Sequence, residues 1–120
     1  MLEVKRLYRS FKHAFQGLVS LVKKEQNFRI HVLAALVVIF FGFYFRIEIW
    51  KWCLIILMIC FVFILEMLNT VFERLVDMLK PRIHLYVGEI KDIMSAMVLV
   101  VAITAVILAL FIFVPYFFLS

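Results

Sequence analysis

The apolar and polar positions of this chain change rhythm near residue 30. Before it, Leu7, Phe11, Ala14, Phe15, Leu18, Leu21 and Val22 recur at helical spacing, and Lys5, Arg6, Arg9, Lys12, Lys23 and Lys24 supply the polar side. This predicts an amphipathic helix over residues 1–28, lying in a membrane interface with its basic residues against anionic headgroups. A helix lying on another subunit is the alternative. After residue 30 the periodicity gives way to long apolar blocks. Val32–Phe45, with Ile30 and His31 before it and Ile47 and Ile49 after it, predicts a first span over 30–49. Arg46, Glu48, Trp50, Lys51 and Trp52 read as a tight connection whose two Trp suit an interfacial aromatic belt. A second helix is expected over 52–80, leaving the membrane near Leu68 and stopped by Pro81. Residues 82–89 read as a short polar loop containing His84 and Gly88. The third span is expected over 92–114, closed by Pro115 and the aromatic tail Tyr116-Phe117-Phe118. The predicted fold class is all-α, a surface helix plus three transmembrane helices in one unit.

Composition agrees with that class. The chain has 120 residues, is 68% hydrophobic and has a mean hydropathy of +1.14, whereas soluble domains are about half apolar. The formal net charge of +5 is read as topological and lipid-directed, and without a basic recognition motif nucleic acid is rejected as a partner. Cys53 and Cys60 stand seven apart in one apolar helix without metal-ligand spacing and are read as buried apolar thiols. No secretory signal is visible. Only three glycines are present, so there is no Walker A loop and no kinase glycine-rich loop. Lys and Arg cluster before the first span and between Arg74 and Lys91, which places the N-terminus and the second connection in the cytoplasm. Glu25, Glu66, Glu73, Asp77, Glu89 and Asp92 then fall at or near that face, and Glu48 lies across the membrane.

The densest chemistry is Glu66-Met-Leu-Asn69-Thr70-Val-Phe-Glu73-Arg-Leu-Val-Asp77. Glu66, Asn69, Glu73 and Asp77 share an arc of roughly 80° on one helix face, joined by Thr70. A carboxylate at membrane depth costs about 2.5–3.5 kcal/mol on insertion scales, so such groups usually face a bundle interior and carry function. Asp77, and to a lesser degree Glu73, suits a solvated helix end; Glu66 does not, because apolar residues continue beyond it. Acids plus a Lys at a cytoplasmic membrane face suit phosphoryl transfer from ATP to a lipid hydroxyl, with Mg²⁺ held by carboxylates and phosphates. A non-catalytic bundle that binds divalent cations would place acids in the same way.

The pattern Glu66-x-x-Asn69-Thr70-x-x-Glu73-x-x-x-Asp77, with Lys91-Asp92 fourteen residues on, resembles the prokaryotic diacylglycerol kinase family. Phe11-x-x-Ala14-x-x-Gly17 and Glu25-x-Asn27-Phe28-Arg29-Ile30-His31 are similar to its undecaprenol kinase branch. The likeness covers residues 9 to 112. It implies a homotrimer with active sites shared between subunits, in the bacterial cytoplasmic membrane, phosphorylating a membrane lipid alcohol with Mg-ATP. Undecaprenol is the expected substrate and diacylglycerol the alternative. The resemblance makes Glu66 the base that takes the alcohol proton. It makes Glu25 and Glu73 the Mg²⁺ ligands, Lys91 and Asp92 nucleotide contacts, and Asn69 a hydrogen-bonding group within the site. Arg9, His13 and His84 join the nucleotide side, and Asp77 is expected to be structural, pairing with a basic group. The chain departs from the family pattern at Val71-Phe72 and at Ile93-Met94-Ser95-Ala96-Met97, where small residues are usual. Bulkier residues there bear on how the helices pack around the site and on which lipid fits.

Overall fold

The computed structural model describes residues 3–79 and 84–119, and these form four helices in the order α1 (Val4–Lys24), α2 (Gln26–Phe45), α3 (Ile49–Leu79) and α4 (His84–Leu119). Three of them are long and apolar enough to cross a membrane, namely α2, α3 and the Tyr86–Phe118 part of α4. About 20 residues suffice for a span. The 20 residues of α2 therefore just cross, whereas the 31 of α3 and 36 of α4 reach beyond the hydrocarbon.

Several boundaries differ from the sequence expectation. The first span ends at Phe45 rather than 49, because Arg46 turns into the left-handed region at φ 52° and caps α2. The Arg46 N–H donates to the carbonyls of Gly42 and Phe43, and the Ile47 N–H donates to that of Gly42, so the end of the helix is closed by backbone bonds. Trp50, Lys51 and Trp52 already belong to α3. Residues 84–89, expected as loop, form the first turns of α4, since no proline falls between His84 and Lys91 and the single Gly88 is tolerated inside a helix. Pro115 does not close the third span. The helix runs through it to Leu119, and the missing N–H affects only one bond near the helix end. Lys80 and Pro81, the expected end of the second helix, lie outside the described residues.

Buried positions form heptad stripes. Phe28, Ala35 and Gly42 on α2 and Ile55, Val62, Asn69 and Val76 on α3 each repeat every seven residues. A seven-residue repeat keeps one seam facing its neighbour along shallow left-handed crossings, as in most transmembrane bundles. The helices of the α2–α3 hairpin run antiparallel, and their register is fixed at both ends. Phe28 packs on Phe63 with ring centroids 5.3 Å apart. At the other end a Cβ on Gly42 would lie 2.5 Å from the Trp52 ring, so only glycine admits the indole. An aromatic knot centred on Phe45, with Phe41, Phe113, Tyr116 and Phe117, ties α2 to α4. Lys51 Nζ donates to Tyr116 Oη at 2.9 Å beside it.

Most remaining apolar side chains face outward, among them Leu33, Phe40, Ile56, Phe61, Leu99 and Phe111, as hydrocarbon-facing surfaces require. Cys53 and Cys60 are free thiols on this outward apolar surface, not buried as expected from their setting, because they stand off the α3 heptad stripe.

Candidate active site

The polar end of the hairpin carries the chemistry. Glu66 is the most buried polar residue among those described, at 2% exposure, and Thr70 and Asn69 on the same face are also buried. Thr70 Oγ1 donates to the Glu66 carbonyl at 3.1 Å, which satisfies its hydroxyl along the helix itself. Asn69 occupies a heptad position otherwise held by apolar residues. Its Oδ1 and Glu66 Oε2 are buried without a hydrogen-bond partner among the described residues. A buried acceptor left unmade costs about 1–3 kcal/mol, so two of them one turn apart are acceptors waiting for donors. Glu66 is met by His31 on α2, whose Nε2 lies 3.5 Å from Oε2. That distance exceeds the range of a good N–H···O bond, so the pair is a polar contact poised to shorten.

Glu25 stands in extended backbone between α1 and α2, and its side chain does not cap α2. Arg29 holds this corner by donating to the carbonyls of Val22 and Lys23 at 2.8 and 2.9 Å, the exposed end of α1. Glu25 is thereby presented toward α3, where Arg74 reaches its Oε1 at 3.2 Å. Glu73 is half-buried on the acid face, and the fields of His31, Glu25 and Glu73 all reach Glu66. Across the α3–α4 seam, Lys91 Nζ lies 2.6 Å from Asp77 Oδ1 and also feels Glu73.

The structure thus gathers Glu25, Glu66, Asn69, Glu73, Asp77 and Lys91 at one end of the bundle. Asp77 has the basic partner expected of it. Asp92 follows Lys91 on α4 and is exposed. Arg9 and His13 are not brought to the cluster by their own chain. They are exposed on α1, roughly 24 and 18 Å along its axis from Glu25. His84 begins α4, and its side chain lies outside the described residues. Sequence reasoning assigned no site role to His31 or Arg74. The signal for His31 was an imidazole within an apolar span; its pairing with a residue 35 positions away had none.

A cleft of ≈ 550 Å³ opens beside the acid face between α1 and α3, bordered by Gly17, Ser20, Met67, Thr70 and Arg74. Gly17 has open space where a Cβ would stand, so the cleft is not filled by a closely packed helix. An apolar groove of ≈ 600 Å³ runs between α3 and α4, lined by Met58, Phe61, Leu65, Ile93 and Met97 among others. Its upper residues, Leu65 and Ile93, adjoin Glu66 and Asp92 in sequence. Val71 and Phe72, two of the departures from the family pattern, are outward and partly exposed, and Met97 is partly exposed along the groove wall. None of the three fills the acid cluster.

A buried Glu66 with further acids and Lys91 thus stands at one end of a bundle with three membrane-length helices. The model of prokaryotic diacylglycerol kinase matches residues 12–113. The chain belongs to the prokaryotic diacylglycerol kinase family. It is 36% identical to the undecaprenol kinase of Bacillus subtilis (strain 168), over 94% of this chain and 92% of that protein. It is 34% identical to a diacylglycerol kinase of Synechocystis sp. (strain ATCC 27184 / PCC 6803 / Kazusa), over 82% of this chain and 57% of that longer protein. Lipid phosphorylation is accordingly its enzyme class, with ATP as phosphate donor.

Proposed function

We propose that this lipid kinase transfers the γ-phosphoryl group of ATP to undecaprenol at the cytoplasmic face of the bacterial membrane. The observation that supports the chemistry best is the buried Glu66 carboxylate, whose Oε2 has no hydrogen bond among the described residues beyond the 3.5 Å contact of His31, one to two turns below Glu73. An alcohol hydroxyl would supply the hydrogen bond that Glu66 Oε2 lacks among the described residues. As its oxygen attacks the γ-phosphorus, Glu66 takes the hydroxyl proton, the bond to the β–γ bridging oxygen breaks, and ADP leaves. Glu66 and Glu73 are separated by roughly 10 Å along α3, which suits a base beside the lipid and a charge beside the phosphates. Near-full-length similarity to an undecaprenol kinase favours the polyprenol over diacylglycerol.

Glu25 and Glu73 are the residues fitted to hold Mg²⁺. Both are carboxylates at the same end of the bundle, and Glu25 engages Arg74 through a single oxygen. Oxygen donors match Mg²⁺, which takes one or two carboxylates and completes its shell with phosphate and water. When bound, the ion supplies charge neutralisation at the phosphates. Lys91 adds a point charge on the same side, Asp92 is a further nucleotide contact, and Asn69 fixes the geometry through its amide. His84 is proposed on the nucleotide side by resemblance.

The distance of Arg9 and His13 from their own chain's acids favours a homotrimer in which α1 lies along the interface and serves a neighbouring site. The outward apolar residues of α1, including Phe11 and Phe15, suit that placement in the membrane surface. The deciding assay is transfer of labelled phosphate from ATP to a panel of membrane alcohols in vesicles. Undecaprenol should be phosphorylated at higher kcat/KM than diacylglycerol. Preference for diacylglycerol would reverse the substrate assignment. Transfer to no alcohol would favour the cation-binding bundle.

A further inference from the structure

We infer that His31 is a positioning residue for the Glu66 carboxylate. The inference rests on the reading of Glu66 as the base. His31 sits on the second turn of α2, one turn past the buried Phe28, and packing of Phe28 against Phe63 fixes its height beside Glu66. Its Nε2 stands 3.5 Å from Glu66 Oε2. Among the described residues Oε2 has no hydrogen-bond partner, and no Lys or Arg is paired with Glu66. The terminal torsion of a glutamate is broad and roughly two-fold, so a buried carboxylate with no neighbour to hold it does not define a plane. One donor at Oε2 defines it and leaves the remaining lone-pair directions for the alcohol proton. Hydrogen bonds of this kind are often long without substrate and tighten in the reacting complex.

Two further observations make His31 more than filler. An imidazole inside an apolar span is costly unless it serves a polar partner, and Glu66 is that partner. The ring also lines a cleft of ≈ 220 Å³ between α2, α3 and α4, whose other walls are apolar, including Ala34, Ala35, Val62 and Phe63. His31 is 19% exposed against 2% for Glu66, so the imidazole stands between the buried carboxylate and open space. It has room to move the few tenths of an ångström that bonding needs.

The test uses full-length protein in vesicles and compares His31→Gln, which keeps a donor near the Nε2 position, with His31→Phe, which keeps the ring and loses the donor. A misplaced catalytic group costs on the order of 10²-fold, so His31→Phe should lower kcat by about 10–100-fold while KM for ATP stays put. His31→Gln should recover most of that loss. In the Glu66→Gln background, His31→Phe should cost nothing further, since residues that act as one unit are not additive. Thermal unfolding in detergent accompanies each variant, and His31→Leu replaces His31→Phe should the latter not fold. Full activity of His31→Phe or His31→Leu, or equal loss in His31→Gln, overturns the inference. Full activity of Glu66→Gln overturns the base reading itself and this inference with it. Loss in Glu66→Gln beside full activity in His31→Phe overturns this inference alone.

Discussion

Lys91 Nζ lies 2.6 Å from Asp77 Oδ1, so the cation assigned to the nucleotide already has an anion across the α3–α4 seam. Both side chains are partly exposed, and pairs of that kind contribute little to stability. Asp77 instead holds Lys91 where it faces Glu73. Lys91→Met should raise KM for ATP strongly, and Asp77→Asn should do so mildly, with unfolding temperature unchanged in both. Steady-state kinetics over an ATP titration checks this, and a larger effect of Asp77→Asn than of Lys91→Met would refute it.

The proposed base and the proposed metal ligands should separate by assay. Glu66→Gln should keep ATP-analogue binding and its Mg²⁺ dependence, while turnover falls by about 10²–10⁴-fold. Glu73→Gln and Glu25→Gln should shift the Mg²⁺ requirement at least about tenfold and weaken nucleotide binding with it, because the carboxylate charge is what holds the ion. The converse pattern would reverse the assignment.

Arg74 occupies Glu25 Oε1 at 3.2 Å. Removing it leaves Glu25 without that cation, so Arg74→Ala should change the Mg²⁺ dependence and leave the chemical step at saturating Mg-ATP nearly intact. Single-turnover measurement at saturating nucleotide separates the two. Loss of the chemical step with unaltered Mg²⁺ dependence would place Arg74 at the reacting groups instead.

Gly42 admits the Trp52 ring where any Cβ would collide. Gly42→Ala should destabilise the fold by about 1–3 kcal/mol, the usual range for overpacking, and Gly42→Ala with Trp52→Leu should recover part of the loss. Unfolding in mixed detergent micelles measures both. Unchanged stability of Gly42→Ala would show that the hairpin closes by another contact.

Arg9 and His13 lie too far along α1 to reach their own chain's Glu25. Co-assembly of impaired Arg9→Ala/His13→Ala subunits with inactive Glu66→Ala subunits should therefore restore activity through sites built from two chains. Added cysteines near the N-terminus and residue 84 should be shielded from outside reagents in intact cells, and one at residue 120 should react. Failure of rescue in verified mixed assemblies would confine each site to one chain, and outside labelling near residue 84 would invert the topology.

The helices and the acid face were written in local sequence. Apolar blocks without glycine or proline specify spans, because backbone groups in hydrocarbon must be satisfied within the helix. Residues 66, 69, 73 and 77 share a face by the period of the helix alone. Local pattern did not give the helix ends. Arg46 closes α2 by a left-handed turn that glycine or asparagine would have announced, and α4 already includes His84 because Gly88 is tolerated inside a helix. Nor did it give the partners. Glu25 with Arg74, His31 with Glu66 and Asp77 with Lys91 join residues far apart in the chain, and each pairing depends on the register of antiparallel helices. Between α2 and α3 that register is decided by packing, by Phe28 against Phe63 and Trp52 against Gly42, contacts whose energy exists only once two helices have met.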